Sequence, residues 1–351
     1  MNELRKIRNI NIDVIKCIAV FLVVSVHFSL YNGFYQTPVS CPRMYIMTAI
    51  RTFSMMCVPL FLLITGFLMY KKEFSAKFYM GLKRIIIPYI IISVITLVVR
   101  VLLRPYGFFD DINYINGFID FKLSGYAWYV DMYIGLFLLI PFINKMFSDF
   151  KKDTFIVSTL IFLTVLPSIS TNPTFILGEW GGIWPIMYYA VGAYIAKYNS
   201  KINRKWLSLL FIFFFVGFTV LNCILSHNCP WNAHSLDEWW GIENFLTSIL
   251  FFTCVLNIKF NLPEKIKGVI SYIANLSLGI FLFSFIFDNI FYHYLNANIS
   301  DVTAKLNWYI VIVPAVFVSS VILAIVSDFI YKIIDKGLLK KVYTSKIRFW
   351  G

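Results

Sequence analysis

Charge is what this chain has least of. Aspartate, glutamate, lysine and arginine together make up 14% of the 351 residues, against 59% hydrophobic ones. A soluble domain of that length does not carry such a balance. Cys-x-x-Cys pairs are missing, so neither a zinc site nor a redox motif has support. No internal repeat, low-complexity tract or soluble appendage stands out. A basic start followed by an apolar run also opens a secretory signal, but here the run is too long and no small-residue cleavage pattern follows. It reads as a retained first span. What these absences leave is a polytopic, all-α membrane bundle.

Ten apolar segments have roughly the length a helix needs to cross a bilayer: 10–30, 46–69, 82–103, 126–147, 154–170, 181–197, 206–226, 242–258, 269–292 and 307–331. The fifth, sixth and eighth are short. Every second connection is basic, from Arg5, Lys6 and Arg8 before the first segment to the cluster Lys71, Lys72, Lys77, Lys83 and Arg84 between the second and third. These connections collect 24 of the 31 lysines and arginines, while the alternate ones hold Asp110, Asp111, Asp120, Glu179, Asp237, Glu238 and Asp301. The positive-inside bias then places both termini in the cytoplasm and makes the number of spans even. The net charge of +13 follows from membrane orientation and calls for no nucleic acid. The expected organisation is a cytoplasmic segment 1–9, one membrane domain 10–331 and a basic tail 332–351 on the inner leaflet of the cell membrane. Cys17, Cys57 and Cys254 sit in apolar segments as small core residues; Cys41, Cys223 and Cys229 lie toward the outer face, where a disulfide is conceivable.

The first segment, NIDVIKCIAVFLVVSVHFSL, carries Asp13, Lys16 and His27. Such groups are costly in lipid and belong in a protein interior or a wet cavity, where they are functional candidates. Eleven helical steps of about 100° return to within about 20° of the same face, so Lys16 and His27 line one stripe, roughly 16 Å apart along the axis. A neutral imidazole can take a proton from an attacking hydroxyl; the plain alternative is a histidine bonded to a neighbouring helix. Lys16, one to two turns inside the cytoplasmic boundary, either meets an anionic donor or snorkels to the headgroups, and Asp13 is placed to pair with it. The outer connection 227–240 holds His227, Trp231, His234, Asp237, Glu238, Trp239 and Trp240, a composition suited to stacking on a sugar. His227 and His234, seven apart, do not make a metal motif, and no metal or tightly bound cofactor is expected.

The order Asp13, two residues, Lys16, ten residues, His27 resembles the first helix of the acyltransferase-3 family of integral membrane acyltransferases, with lysine where the family usually has arginine. That change keeps the charge and loses the planar fork. Three further stretches fit. VPLFLLITGFLMYKK from Val58 resembles the family's serine-glycine-phenylalanine stretch, with Thr65 in place of serine. KRIIIPY from Lys83 resembles its basic entry into the third span, and Trp128 and Tyr129 its tryptophan-aromatic entry into the fourth. SLGIFLFSFIF from Ser277 is similar to its late segment, although Ser284 stands where relatives often have histidine. The resemblance implies ten membrane helices, a cytoplasmic acyl-coenzyme A as co-substrate, usually acetyl, and an acceptor hydroxyl on an extracytoplasmic or lipid-linked carbohydrate or other envelope molecule. On it, His27 is the catalytic candidate, Lys16, Lys83 and Arg84 are donor-binding candidates, and Trp128 and Asp131 are acceptor-binding candidates. A transporter using the same intramembrane charges as a substrate path is the competing reading.

Overall fold

The structure, a computed structural model, describes residues 8–109, 121, 124–169, 178–199, 205–232 and 236–335. Among them every regular element is helical, apart from one isolated bridge between Val39 and His227. The longer helices are α1 Ile10–Tyr31, α2 Pro42–Ser54, α3 Cys57–Met69, α4 Lys83–Leu103, α5 Trp128–Met146, α6 Phe150–Ile169, α7 Trp184–Tyr198, α8 Leu207–Leu225, α9 Ile242–Leu256, α10 Glu264–Asn275, α11 Ser277–Asn298 and α12 Tyr309–Ile334. Eight helical stretches are long and apolar enough to cross a membrane; α2 and α3 form one of them as Pro42–Met69, and Val302–Ile334 forms the last. The sixth and eighth expected segments are the 15-residue helices α7 and α9.

The ninth expected segment, 269–292, is corrected. Its first turns belong to α10, a separate helix ending at Asn275, and the long apolar helix begins at Ser277. The acidic connection with Asp110, Asp111 and Asp120, the residue His234, and the tail from 336 onward lie outside the described residues. All six cysteines are free.

Two compact units emerge. The first takes Met1–Phe74, Leu138–Asn275 and Ile299–Tyr309; the second takes Ser75–Phe137, Leu276–Asn298 and Ile310–Gly351.

Within the first unit α1 packs against α2, α3, α9 and α10. Its start is fixed locally: the Asn9 side chain caps the N–H of Asn11, and the Asn11 amide in turn donates to the carbonyls of Val255 (2.8 Å), Leu256 (3.1 Å) and Ile258 (2.7 Å). A single side chain thereby ties the start of α1 to carbonyls at and just beyond the C-terminus of α9. At the other end Gly33 leaves the helix at φ 89°, a conformation glycine adopts without the usual steric cost. The break between α2 and α3 has its cause in Pro59, which has no N–H to continue the ladder.

The tightest helix pair of this unit is α3 with α7. Gly66 faces the backbone of α7 and Gly192 that of α3: a Cβ on Gly66 would lie 2.0 Å from the Tyr189 carbonyl oxygen, and one on Gly192 2.2 Å from that of Leu63. Small residues at such a crossing let the two backbones touch, which is how helices gain contact where lipid offers no hydrophobic drive. Helix α8, by contrast, leaves Leu209, Ile212, Phe213, Val216 and Val220 uncovered, as suits a helix solvated by hydrocarbon.

In the second unit α4 packs against α11. Its aromatic core includes Phe78 stacked on Phe137 at 4.5 Å and Tyr126 on Phe281 at 5.9 Å. The buried Asp288 carboxylate accepts from the Tyr126 hydroxyl at 2.7 Å. Arg100 lies over the rings of Phe109 and Phe285.

Candidate active site

The stripe on α1 is covered by protein. Asp13, Val20, Val24 and His27 are all buried, His27 at 6% exposure, and Lys16 is half-buried. The expected pairing of Asp13 with Lys16 gives way to a different one. Arg8 grips both carboxylate oxygens of Asp13, and the Ser271 hydroxyl donates to the same carboxylate at 2.7 Å. Arg8 also donates to the Ser271 carbonyl and the Asn275 side chain, each at 2.9 Å. These bonds tie the start of α1 to α10 and leave Lys16 one turn deeper, with Asp13's negative charge near it but shared with Arg8.

Close to His27 in sequence, a polar chain runs through the packed helices. Ser25 Oγ lies 2.7 Å from both Ser54 Oγ and Tyr309 Oη, and Phe28 packs edge-on against Tyr309 at 5.2 Å. Just beyond, Lys305 is buried at 5% exposure and donates to the Asn32 carbonyl at 3.0 Å. Neither Tyr309 nor Lys305 was singled out by sequence reasoning. Lys305 did carry a signal, since it is a lysine in a connection otherwise poor in basic residues.

Arg51 shows where a membrane-depth charge finds its partners. It is 4% exposed, its Nη2 is 2.5 Å from Asp237 Oδ2, its Nε donates to the Tyr35 hydroxyl at 3.2 Å, and the Trp231 ring lies 4.5 Å from its guanidinium carbon. Trp231 Nε1 donates to the same Asp237 oxygen at 3.0 Å. Asp237, an acid of the outer connection, is thus the partner of Arg51. In connection 227–240 Trp231 covers Arg51, Trp239 stacks on Trp184 at 6.0 Å, and Trp240 lies against Gly181, each ring staying half-exposed. Those rings are used in holding the connection down.

Because the Arg51–Asp237 pair is buried, removing one partner leaves the other charged and unpaired. Asp237→Ala is expected to cost about 3 kcal/mol, read as a lower unfolding temperature of the purified protein in detergent. Combining it with Arg51→Met recovers part of the loss in a double-mutant cycle; a double variant as unstable as the sum of the singles contradicts the coupling.

The remaining candidates belong to the second unit. Lys83 Nζ is 3.4 Å from Asp335 Oδ1, and Arg84 is exposed. Trp128 is 39% exposed at the start of α5, edge-on to Tyr129, and Asp131 is exposed in the same first turn. A carboxylate there complements the helix dipole, and an exposed tryptophan at a helix start suits a membrane interface. Ser284, in the position of the missing histidine, is fully buried and donates to the Phe281 carbonyl at 2.8 Å. No group of three metal-ligating side chains occurs among the described residues.

A pocket of about 700 Å³ opens in the first unit where α3 ends, lined by residues 70–74 together with Pro141, Asn144 and Lys145. Asn144 builds its wall. The amide donates to the carbonyls of Met69 and Lys72, both at 2.8 Å, and its oxygen accepts from the Tyr189 hydroxyl at 2.7 Å.

Long apolar helices, a buried imidazole and a half-buried lysine on one face of the first of them, and basic clusters in alternate connections define a multi-pass membrane protein with polar chemistry inside its helical packing. A family model described as an acyltransferase domain matches residues 9–327. The chain belongs to the acyltransferase-3 family and is a membrane acyltransferase. No curated protein and no solved structure matches it.

Proposed function

We propose that the protein moves an acyl group, acetyl in the simplest case, from a cytoplasmic acyl-coenzyme A to a hydroxyl of an extracytoplasmic or lipid-linked carbohydrate or other envelope acceptor. The observation that carries this reading is His27, the one histidine of the first span, enclosed by protein on the same helix face as Lys16. An imidazole nitrogen there can accept a hydrogen bond from an acceptor hydroxyl. As that oxygen attacks the thioester carbonyl, its proton passes to the imidazole nitrogen; the C–S bond breaks, and the proton is returned to the departing thiolate. Lys16, Lys83 and Arg84 are assigned to the anionic donor, and Trp128 and Asp131 to the acceptor. In this reading both termini are cytoplasmic and the ten helices of the notional bundle include the short α7 and α9.

Inside-out membrane vesicles containing the protein, supplied with acyl-coenzyme A labelled in the acyl group, provide the test. Label that becomes covalently attached to an envelope saccharide, and stays attached after extraction, supports transfer. Label that crosses into the lumen unchanged makes the protein a transporter and overturns the proposal.

A further inference from the structure

The pocket at the end of α3 combines features that the active-site stripe does not use. Lys71, Lys72 and Lys145 bring three positive charges to it and Glu73 one negative charge, so the lining is net cationic. All three lysines are exposed and free to reach a bound group. The walls also carry aromatic rings. Phe74 is 46% exposed and is held edge-on by Phe142 at 4.4 Å, with the ring planes at 88°, while Tyr70 lies beneath the Lys71 ammonium at 5.2 Å. The volume is that of a small-molecule site rather than of a single inorganic phosphate.

The pocket is also built in advance. Asn144 bonds the carbonyls of Met69 and Lys72 and accepts from Tyr189, so the chain carrying Tyr70, Lys71 and Lys72 is fastened to α5. A wall already fixed loses little entropy on binding. If the lysines served only to offset the negative ends of α3 and α5, neither a pocket of this volume nor an exposed, fixed ring beside them would be required.

We infer that this pocket binds a phosphorylated nucleotide, the phosphates held by Lys71, Lys72 and Lys145 and the planar base packed on Phe74. This rests on the proposed use of acyl-coenzyme A and assigns its adenosine bisphosphate end, which takes no part in bond breaking, to a place in the protein. Binding energy from such a remote group positions the reacting end. A phosphate ester is also found on anionic lipid headgroups, but a lipid headgroup has no planar base for the ring to receive.

The probe is adenosine 3′,5′-bisphosphate, titrated calorimetrically into the full-length protein in nanodiscs of phosphatidylcholine alone and of phosphatidylcholine with phosphatidylglycerol. Binding is expected in both. The triple variant K71Q/K72Q/K145Q is expected to weaken it at least thirtyfold, and Phe74→Ala about fivefold or more. Lys145→Glu, a single exposed change, provides the same reading should the triple variant not purify as a folded protein. The assignment is overturned if the bisphosphate does not bind, if the lysine variants bind it as wild type does, or if the lysines retain only phosphatidylglycerol. In the vesicle assay the lysine variants should raise the KM for acyl-coenzyme A and leave kcat close to wild type. Bisphosphate binding lost in the variants, with no transfer by any form, would uphold the pocket and refute the transferase reading. Transfer with an unchanged KM would do the reverse.

Discussion

His27→Ala is expected to abolish measurable acyl transfer in inside-out vesicles, a loss of at least about a hundredfold, while the protein still inserts and accumulates in the membrane. The magnitude is that of removing a positioned general base. His27→Gln sharpens the result. Glutamine keeps volume and a hydrogen-bonding tip in a site that is 6% exposed, so a loss as deep as alanine's points to proton transfer, whereas recovery of activity would point to packing or hydrogen bonding. Activity of His27→Ala within about tenfold of wild type would remove the base from the mechanism. Lys16→Gln serves as the complementary measurement. If Lys16 holds the donor and takes no part in proton transfer, its loss raises the KM for acyl-coenzyme A far more than it lowers kcat.

The first helix was legible because its polar residues break a rule that membrane segments otherwise keep. Asp13, Lys16 and His27 each announce an interior partner, and the 11-residue spacing states which face they share. Their partners were not legible. Asp13 bonds Arg8, five residues away, but also Ser271 on α10, and Arg51 finds Asp237. Such pairings depend on which helices become neighbours, and one sequence carries no record of that. The tryptophans of connection 227–240 have a use that composition did not show: the fold sets Trp231, Trp239 and Trp240 against Arg51, Trp184 and Gly181.

The mistake over 269–292 has a similar origin. Val269, Ile270, Tyr272 and Ile273 continue smoothly into the apolar run that follows, so hydropathy alone joins them. What separates them is the use of α10: Ser271 and Asn275 take hydrogen bonds from Arg8, and Cys17 lies 3.3 Å from the Ile270 carbonyl. Helix α10 is therefore a brace along α1, and it holds the end of the helix that carries Lys16. Positive-inside counting, by contrast, reads only loops, and for that reason it located the pocket's Lys71 and Lys72 in a basic connection without revealing that they border a common cavity with Lys145.

Gly66→Val is expected to be the most destabilising single change outside the catalytic stripe, and Gly192→Val nearly its equal. Gly66 stands in the stretch that resembles the family's serine-glycine-phenylalanine run, whereas its counterpart on α7 carries no such mark. Each glycine faces backbone, which cannot swing aside as a side chain can: the added Cβ at Gly66 meets the Tyr189 oxygen at 2.0 Å and that at Gly192 meets the Leu63 oxygen at 2.2 Å. Relief requires α3 and α7 to separate by more than 1 Å, roughly the difference between 2.0 Å and ordinary carbon–oxygen contact. Separation on that scale costs packing along the whole crossing, and the Tyr189–Asn144 bond that supports the pocket wall stretches with it. The cost should exceed about 4 kcal/mol, beyond the usual range for one substitution, and should appear as loss of folded protein after detergent extraction. Gly66→Ala, with the smallest possible Cβ, should already lower the unfolding temperature and weaken adenosine 3′,5′-bisphosphate binding through the displaced wall. A Gly66→Ala protein as stable as wild type would mean that the two helices do not meet backbone to backbone in the membrane.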